Sequence, residues 1–319
     1  MIATLDAYSL VAVYSAMAVY TIAFILFTVD LSRRTAEATS TTTAGSRAAG
    51  AVAGAPGATA VLEKTDAPTA SRGPRYVRAA MALTMLAWLL HVTGAVLRGI
   101  AASRVPWANM YEFTLTATAI IVGVFLAVQV WQRLAFLGAF ITGFALIALG
   151  IATVNFYVTV VPLPPALQSP WLVIHVFVAT LGTGFFALGA GLSIVQLLQG
   201  RREARGTGPR FLATLPTADR LETLAYRLNV IGFVFWTFTL IAGAIWAERA
   251  WGRYWGWDTK EVWTFIIWVI FAGYIHARAT RGWRGARSAW LAIIGFAAVL
   301  FNFTIVNLFF KGLHAYSGL

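Results

Sequence analysis

The chain contains no cysteine. That excludes disulfides, thiolate metal sites, thiol catalysis and covalent cofactor attachment through sulfur on this chain, so any thiol chemistry has to come from a partner. Charge is scarce as well. Asp, Glu, Lys and Arg make up 11% of the 319 residues, against roughly 25% in an ordinary soluble domain. A soluble fold is excluded on that ground. What is present is apolar: 59% of residues are hydrophobic and the mean hydropathy is +0.74. One apolar segment of about 20 residues crosses a bilayer, so this length supplies about eight crossings and leaves little chain for an extramembrane domain. The fold class predicted is an all-α, polytopic integral membrane protein of about eight transmembrane helices.

Apolar runs place the spans at Tyr8 to Val29, Ala79 to Val96, Phe113 to Val130, Leu134 to Val154, Leu172 to Leu198, Asn229 to Trp246, Val262 to Tyr274 (continuing through His276) and Ala289 to Phe310. Basic residues stay on the cytoplasmic side of a membrane. Of the 24 Lys and Arg, 18 fall in one set of loops, the last four of them from Arg278 to Arg287, and six fall in the other set. Both termini are therefore expected outside. The formal charge of +12 is a topology signal, not a nucleic-acid footprint, because the basic residues do not gather on one soluble face. The chain divides into a first transmembrane helix over 1–31, a linker over 32–76 and a seven-helix core over 77–319. Thr35 to Ser71 is rich in Ala, Thr and Gly, which predicts a disordered cytoplasmic linker. The first span lacks a basic start and a small-residue cleavage site before Asp30, so it is expected to stay as an anchor. The sequence shows no internal repeat.

There are four histidines, each in or at the edge of a span. His175 sits about one turn below the outer end of the fifth span, and His314 lies just beyond the outer end of the eighth. His91 falls near the middle of the second span. His276 lies about 14 residues inside the seventh, or about 21 Å deep at about 1.5 Å per residue. A lone His on an apolar helix of a soluble protein is usually a satisfied core residue. Inside a membrane an ionisable group is expensive and is a functional candidate by default. Two imidazole pairs at matching depths, without cysteine and with few carboxylates, suit an axially ligated haem better than zinc.

The outer loop between the sixth and seventh spans reads Trp251-Gly-Arg-Tyr-Trp-Gly-Trp-Asp258-Thr-Lys-Glu-Val-Trp263. An interfacial aromatic belt explains two or three such rings, but not four Trp and one Tyr in this one stretch. If the segment is helical, Trp251, Tyr254, Trp255 and Asp258 share one face and make a flat aromatic platform for a large planar ligand. Arg253 and Lys260 flank it, either as partners for ligand carboxylates or as solvated loop charge. Asp258 either sets the tautomer of an outer histidine or caps the seventh helix. Glu112, with Asn109 and Tyr111, either orients an outer ligand or caps the third span.

The segment Trp251 to Trp263, continued by Tyr274-Ile-His276-Ala-Arg278, resembles the tryptophan-rich "WWD" signature of the haem-handling proteins of cytochrome c biogenesis. The Asp258-Thr-Lys-Glu261 continuation is most similar to the CcsA/ResC (CcsB-type) branch of the system II cytochrome c synthase. Leu90-His91, Arg104-Val-Pro-Trp-Ala-Asn-Met-Tyr-Glu112, Ser169-Pro-Trp-Leu-Val-Ile-His175 and Gly312-Leu-His314-Ala-Tyr316 extend the likeness from about Val77 to the C-terminus. The resemblance implies that haem b, a noncovalent and transported substrate, enters from the cytoplasmic side, is held by His91 and His276 and then passes to an outer site. There His175 and His314 would be the axial ligands, under Trp251, Trp255, Trp257 and Asp258. It implies a ResB-type membrane partner carrying an outer domain, apocytochrome c as recipient, thiol-reducing proteins acting indirectly, and a plasma-membrane location with the presentation site outside.

The function expected is the haem-delivery and ligation subunit of a cytochrome c haem lyase, presenting haem for thioether attachment to the C-x-x-C-H cysteines of apocytochrome c. No general acid or nucleophile for that addition is evident in the sequence. The alternatives are a di-haem b-type electron-transfer protein and a haem exporter with no role in ligation.

Overall fold

The computed structural model describes residues 2–52, 73–160, 167–310 and 312–314. The described elements are α1 (Ile2–Val52), α2 (Gly73–Ala102), α3 (Met110–Val128), α4 (Gly138–Asn155), α5 (Pro170–Arg205), α6 (Ala218–Trp251), α7 (Thr259–Arg281), α8 (Ala286–Phe303) and α9 (Ile305–Phe309). There is no strand among the described residues. Eight segments are long and apolar enough to cross a membrane, α8 and α9 together forming the last, Ala286–Phe309. In lipid the backbone has to satisfy its own hydrogen bonds, which selects the helix for every run of this kind. Ile147, Val154, Val234 and Ile241 are exposed, as suits side chains that meet acyl chains rather than water.

Local chemistry sets the helix ends. The Asn109 side chain accepts from the backbone N–H of Glu112 at 2.9 Å and caps α3. Ser169 caps α5, with Pro170 at its first position, where the missing N–H costs nothing. Glycines at 206, 252 and 282 close α5, α6 and α7 in the left-handed conformation, as helix C-termini favour.

The predicted linker departs from expectation over its first part, because the backbone of 35–52 continues α1 as helix. The remainder of the predicted linker, 53–72, lies outside the described residues.

α1 packs on α2 and α4; α5 packs on α6, α3 and α8; α7 packs on α8 and α6. One core gathers around Tyr20, Phe125, Leu137 and Ile141, and a second around Phe186, Trp236 and Phe271. The helices alternate in direction, so the starts of α1, α3, α5 and α7 share one end of the bundle with the ends of α2, α4, α6 and α9.

That end is tied together by an ion network. Arg98, fully buried, donates to Asp6 Oδ1 at 2.6 Å, to Glu112 Oε1 at 3.0 Å and to the Val158 carbonyl at 2.7 Å. Arg104 donates to Glu112 Oε2 at 2.5 Å and the Tyr157 hydroxyl donates to Asp6 Oδ2 at 2.6 Å. Buried charges persist only when paired and hydrogen-bonded like this. The network joins the start of α1 to α2, to α3 and to the loop after α4.

Candidate functional site: an apolar chamber with two poised imidazoles

At this same end a cavity of about 220 Å³ opens among α3, α5, α6, α7 and α8. Its wall is mostly apolar and aromatic, with Trp107, Phe113, Trp236 and Trp246 among the lining residues, and both His175 and His314 face it. Ligand sites usually enclose about 300–1,000 Å³, so a macrocycle requires side chains at the mouth to swing outward. Tyr254 and Trp255 line that region and are 63% and 36% exposed.

His175 sits in the second turn of α5 and lies flat against α6. Its Nδ1 is 3.0 Å from the Thr239 carbonyl oxygen. A carbonyl only accepts, so Nδ1 carries the proton and Nε2 keeps its lone pair. Gly243 makes this approach possible: a Cβ at that position would sit 2.8 Å from two atoms of the imidazole ring.

His314 reaches the chamber from the segment after α9. Its Nδ1 is 2.6 Å from Asp258 Oδ2, while Asp258 Oδ1 accepts from the backbone N–H of Leu313 at 3.2 Å. The hydrogen bond from His314, and then the other donors around it, hold the Asp258 carboxyl below the usual carboxylate range. Gly312 permits the close seating, since a Cβ there would fall 2.0 Å from Asp258 Oδ1. Nε2 of His314, like that of His175, makes no hydrogen bond within the described residues. Holding one ring nitrogen by a carbonyl or carboxylate and leaving the other bare is the arrangement that orients a metal-binding imidazole.

Trp246 links the two rings. It stacks on His175 at 5.8 Å and 17°, and meets His314 edge-on at 5.3 Å. Trp251 packs against both Trp246 and His314, at 4.8 Å each. The two histidines are thus one indole apart.

The tryptophan-rich segment differs from the helical platform predicted. Residues 252–258 are a loop between α6 and α7, because Gly252 turns left-handed at φ 71° and ends α6. Trp251 is the last residue of α6 and points inward, Trp255 stands at the chamber, and Trp257 is 76% exposed and edge-on to Trp255 at 5.8 Å. Asp258 fills both roles considered for it. It forms a capping box with Glu261 at the start of α7 and also holds His314. Glu261 in turn accepts from the backbone N–H groups of Gly256 and Asp258 at 2.8 and 3.0 Å. Of the two flanking cations, Lys260 lines the chamber, whereas the Arg253 guanidinium lies over Gly256, within the space a Cβ there would need. Of the two roles considered for Glu112 with Asn109, the contacts match the cap of α3: Asn109 accepts from the Glu112 N–H, and the Glu112 carboxylate accepts from the backbone N–H of Ala108 at 3.1 Å, while Arg98 and Arg104 also hold that carboxylate in the ion network.

The deeper histidine pair is not brought together. His91 is fully buried, its Nε2 2.9 Å from the Leu115 carbonyl of α3 and its Nδ1 3.5 Å from the Tyr20 hydroxyl of α1. His276 lies exposed on α7, which packs on α6, α8 and α9, whereas α2 packs on α1, α3 and α4. Equal depth in two spans does not fix the direction in which each helix face points.

Trp246, Thr239, Gly243, Asn302 and Asn307 contribute to the chamber but were not picked out from the sequence. One signal was available: Trp236, Thr239, Gly243 and Trp246 recur at three- and four-residue steps along α6 and mark one face.

Fold and site together define a polytopic helical membrane protein enclosing an aromatic chamber with two oriented imidazoles. Residues 77–314 match the family described as Cytochrome C assembly protein, and the chain belongs to that family. It is 34% identical over 252 residues to the cytochrome c biogenesis protein CcsA of Trieres chinensis, covering 70% of this chain and 81% of that one. It is likewise 34% identical over 284 residues to CcsA of Gloeobacter violaceus, covering 72% and 84%. Among solved structures, "Cytochrome c Heme Lyase CcmF" superposes with a TM-score of 0.64 at 16% identity, over 98% of this chain and 48% of that one. This chain therefore spans about half the length of that protein and shares its fold.

Proposed function

We propose that this multi-pass membrane protein of cytochrome c maturation is the subunit that receives haem and presents it for attachment to apocytochrome c at the extracytoplasmic face of the plasma membrane. One observation carries the reading: His175 and His314 line the same apolar chamber, each with Nδ1 held by a fixed oxygen and Nε2 without a partner among the described residues. The donor set fits an iron porphyrin, because two neutral imidazoles satisfy the axial positions of the iron and the aromatic wall matches a planar apolar ring. The substrate, haem b, supplies the vinyl groups that the apocytochrome cysteines attack.

The chain's own residues hold and shield. Thr239 and Asp258 fix the two imidazoles. Trp246 and Trp251 keep water from them. Proximity of a bound vinyl edge to an incoming thiol lowers the barrier by several kcal/mol without any acid or base from this chain. A separate ResB-type partner with an outer domain would bring the apocytochrome, kept reduced by thiol-reducing proteins. Among the described residues a single imidazole pair shares a chamber, which favours this reading over a di-haem electron carrier.

The test is complementation of a deletion strain with His175→Ala and His314→Ala. Both variants are expected to lose covalently labelled cytochrome c while accumulating in the membrane. Normal holocytochrome levels in both would overturn the assignment.

A further inference from the structure

We propose that Lys260, seated by Asn302 and Asn307, is the chamber's anchor for a carboxylate arm of its ligand. The inference rests on the reading of the chamber as a porphyrin site and adds how the ring is oriented within it.

Lys260 enters the chamber wall from the first turn of α7. Its Nζ donates to the Asn307 side-chain oxygen and, at 3.4 Å, to the Asn302 carbonyl. Both acceptors are neutral. No carboxylate among the described residues forms an ion pair with the ammonium. The two carboxylates nearest in sequence are already committed, Asp258 to His314 and Leu313, and Glu261 to the backbone at Gly256 and Asp258. Asp258 acts on the ammonium only through space, without pairing with it; a cation so placed in an apolar wall is costly, and an anionic ligand in direct contact lowers that cost.

A second observation points the same way. Asn302 is 5% exposed and lines the chamber, and its Oδ1 has no hydrogen-bond partner among the described residues. Its amide nitrogen is turned to Thr264 Oγ1 at 3.3 Å, which leaves the oxygen without a donor. The helix breaks after Phe303, where Thr304 has φ −91° and ψ −72°, and this break sets Asn302 and Asn307 on either side of the ammonium. When a carboxylate arrives, Lys260 can turn one N–H to it and give another to Asn302 Oδ1, so that both unmet groups are satisfied together.

The consequence is orientation. In an iron porphyrin the propionates leave one edge of the ring and the vinyl groups lie away from it. A propionate fixed at Lys260 determines which edge faces the mouth beside Tyr254 and Trp255. Arg253 cannot share the task, because its guanidinium lies over Gly256 and not in the chamber wall.

The experiment titrates the purified full chain with haem and with haem dimethyl ester, in which both carboxylates are blocked. Wild type is compared with Lys260→Met and Lys260→Gln. The wild type is expected to bind haem about tenfold more tightly than the ester. Both variants are expected to lose that preference while binding the ester as the wild type does, which also reports an intact chamber. Equal affinity of the wild type for the two porphyrins, or a preference retained in both variants, overturns the anchor and leaves the chamber reading standing. A wild type that binds neither porphyrin overturns the chamber reading and the anchor with it.

Discussion

Replacing Asp258 with Asn separates the two tasks this residue performs. Asparagine caps a helix as well as aspartate does, so α7 should start as before. The other task does not survive. Both carboxylate oxygens accept, one from His314 Nδ1 at 2.6 Å and the other from the Leu313 N–H at 3.2 Å, whereas an amide offers one acceptor and one donor. Either the Leu313 contact becomes donor against donor, or His314 shifts its proton to Nε2 and can no longer bind a metal through that atom. A hydrogen bond to a charged group contributes about 1.5–3 kcal/mol. The side chains here are only 17% and 8% exposed, so solvent screens the bond little and the whole range applies, about 1.5–3 kcal/mol, or roughly 10- to 160-fold in affinity. The same size is expected for losing a residue that orients a metal ligand. Haem titration of the purified protein measures it, with the iron expected to pass from six-coordinate low-spin toward five-coordinate high-spin and external imidazole expected to restore the first. Unchanged affinity and an unchanged spectrum in Asp258→Asn would refute the role of the carboxylate in orienting His314.

Three further outcomes follow from particular contacts. Gly243→Ala places a methyl group 2.8 Å from the His175 ring; overpacking of this kind costs about 1–3 kcal/mol and should shift the haem spectrum as loss of His175 does, so a wild-type spectrum would contradict the seating described. Arg98→Met leaves Asp6 and Glu112 without their shared cation; breaking a buried pair from one side costs about 3–5 kcal/mol, and thermal unfolding in detergent should show a large fall in midpoint, with a shift corresponding to under about 1 kcal/mol counting against the network. His91→Gln should leave the chamber's haem spectrum intact, since His91 is occupied by the Leu115 carbonyl; loss of low-spin haem in that variant would restore the deeper pair as a ligand set.

The fold class was legible because hydropathy is one-dimensional and each run of apolar side chains has only one way to satisfy its backbone in lipid. The chamber was legible in part, because motif and depth place His175, His314, Trp251 and Asp258 at one end of the bundle. What was not legible depends on which way a helix faces. Depth and family likeness both paired His91 with His276, yet one turns inward to Leu115 and the other outward. Helical spacing suggested a platform from Trp251 to Asp258, but Gly252 ends the helix and sends Trp257 away from the chamber. The network around Arg98 links residues as far apart in sequence as Asp6 and Tyr157, and no local pattern announces it.

In the proposed function His175 and His314 together grip one iron porphyrin. The most direct measurement is the reduced-minus-oxidised and pyridine-haem spectrum of the purified wild type beside His175→Ala and His314→Ala. Noncovalent haem with a bis-imidazole spectrum is expected in the wild type, and a high-spin or depleted spectrum in each variant. A wild type purified without haem from cells supplied with porphyrin, or variants with an undiminished bis-imidazole signal, would contradict it.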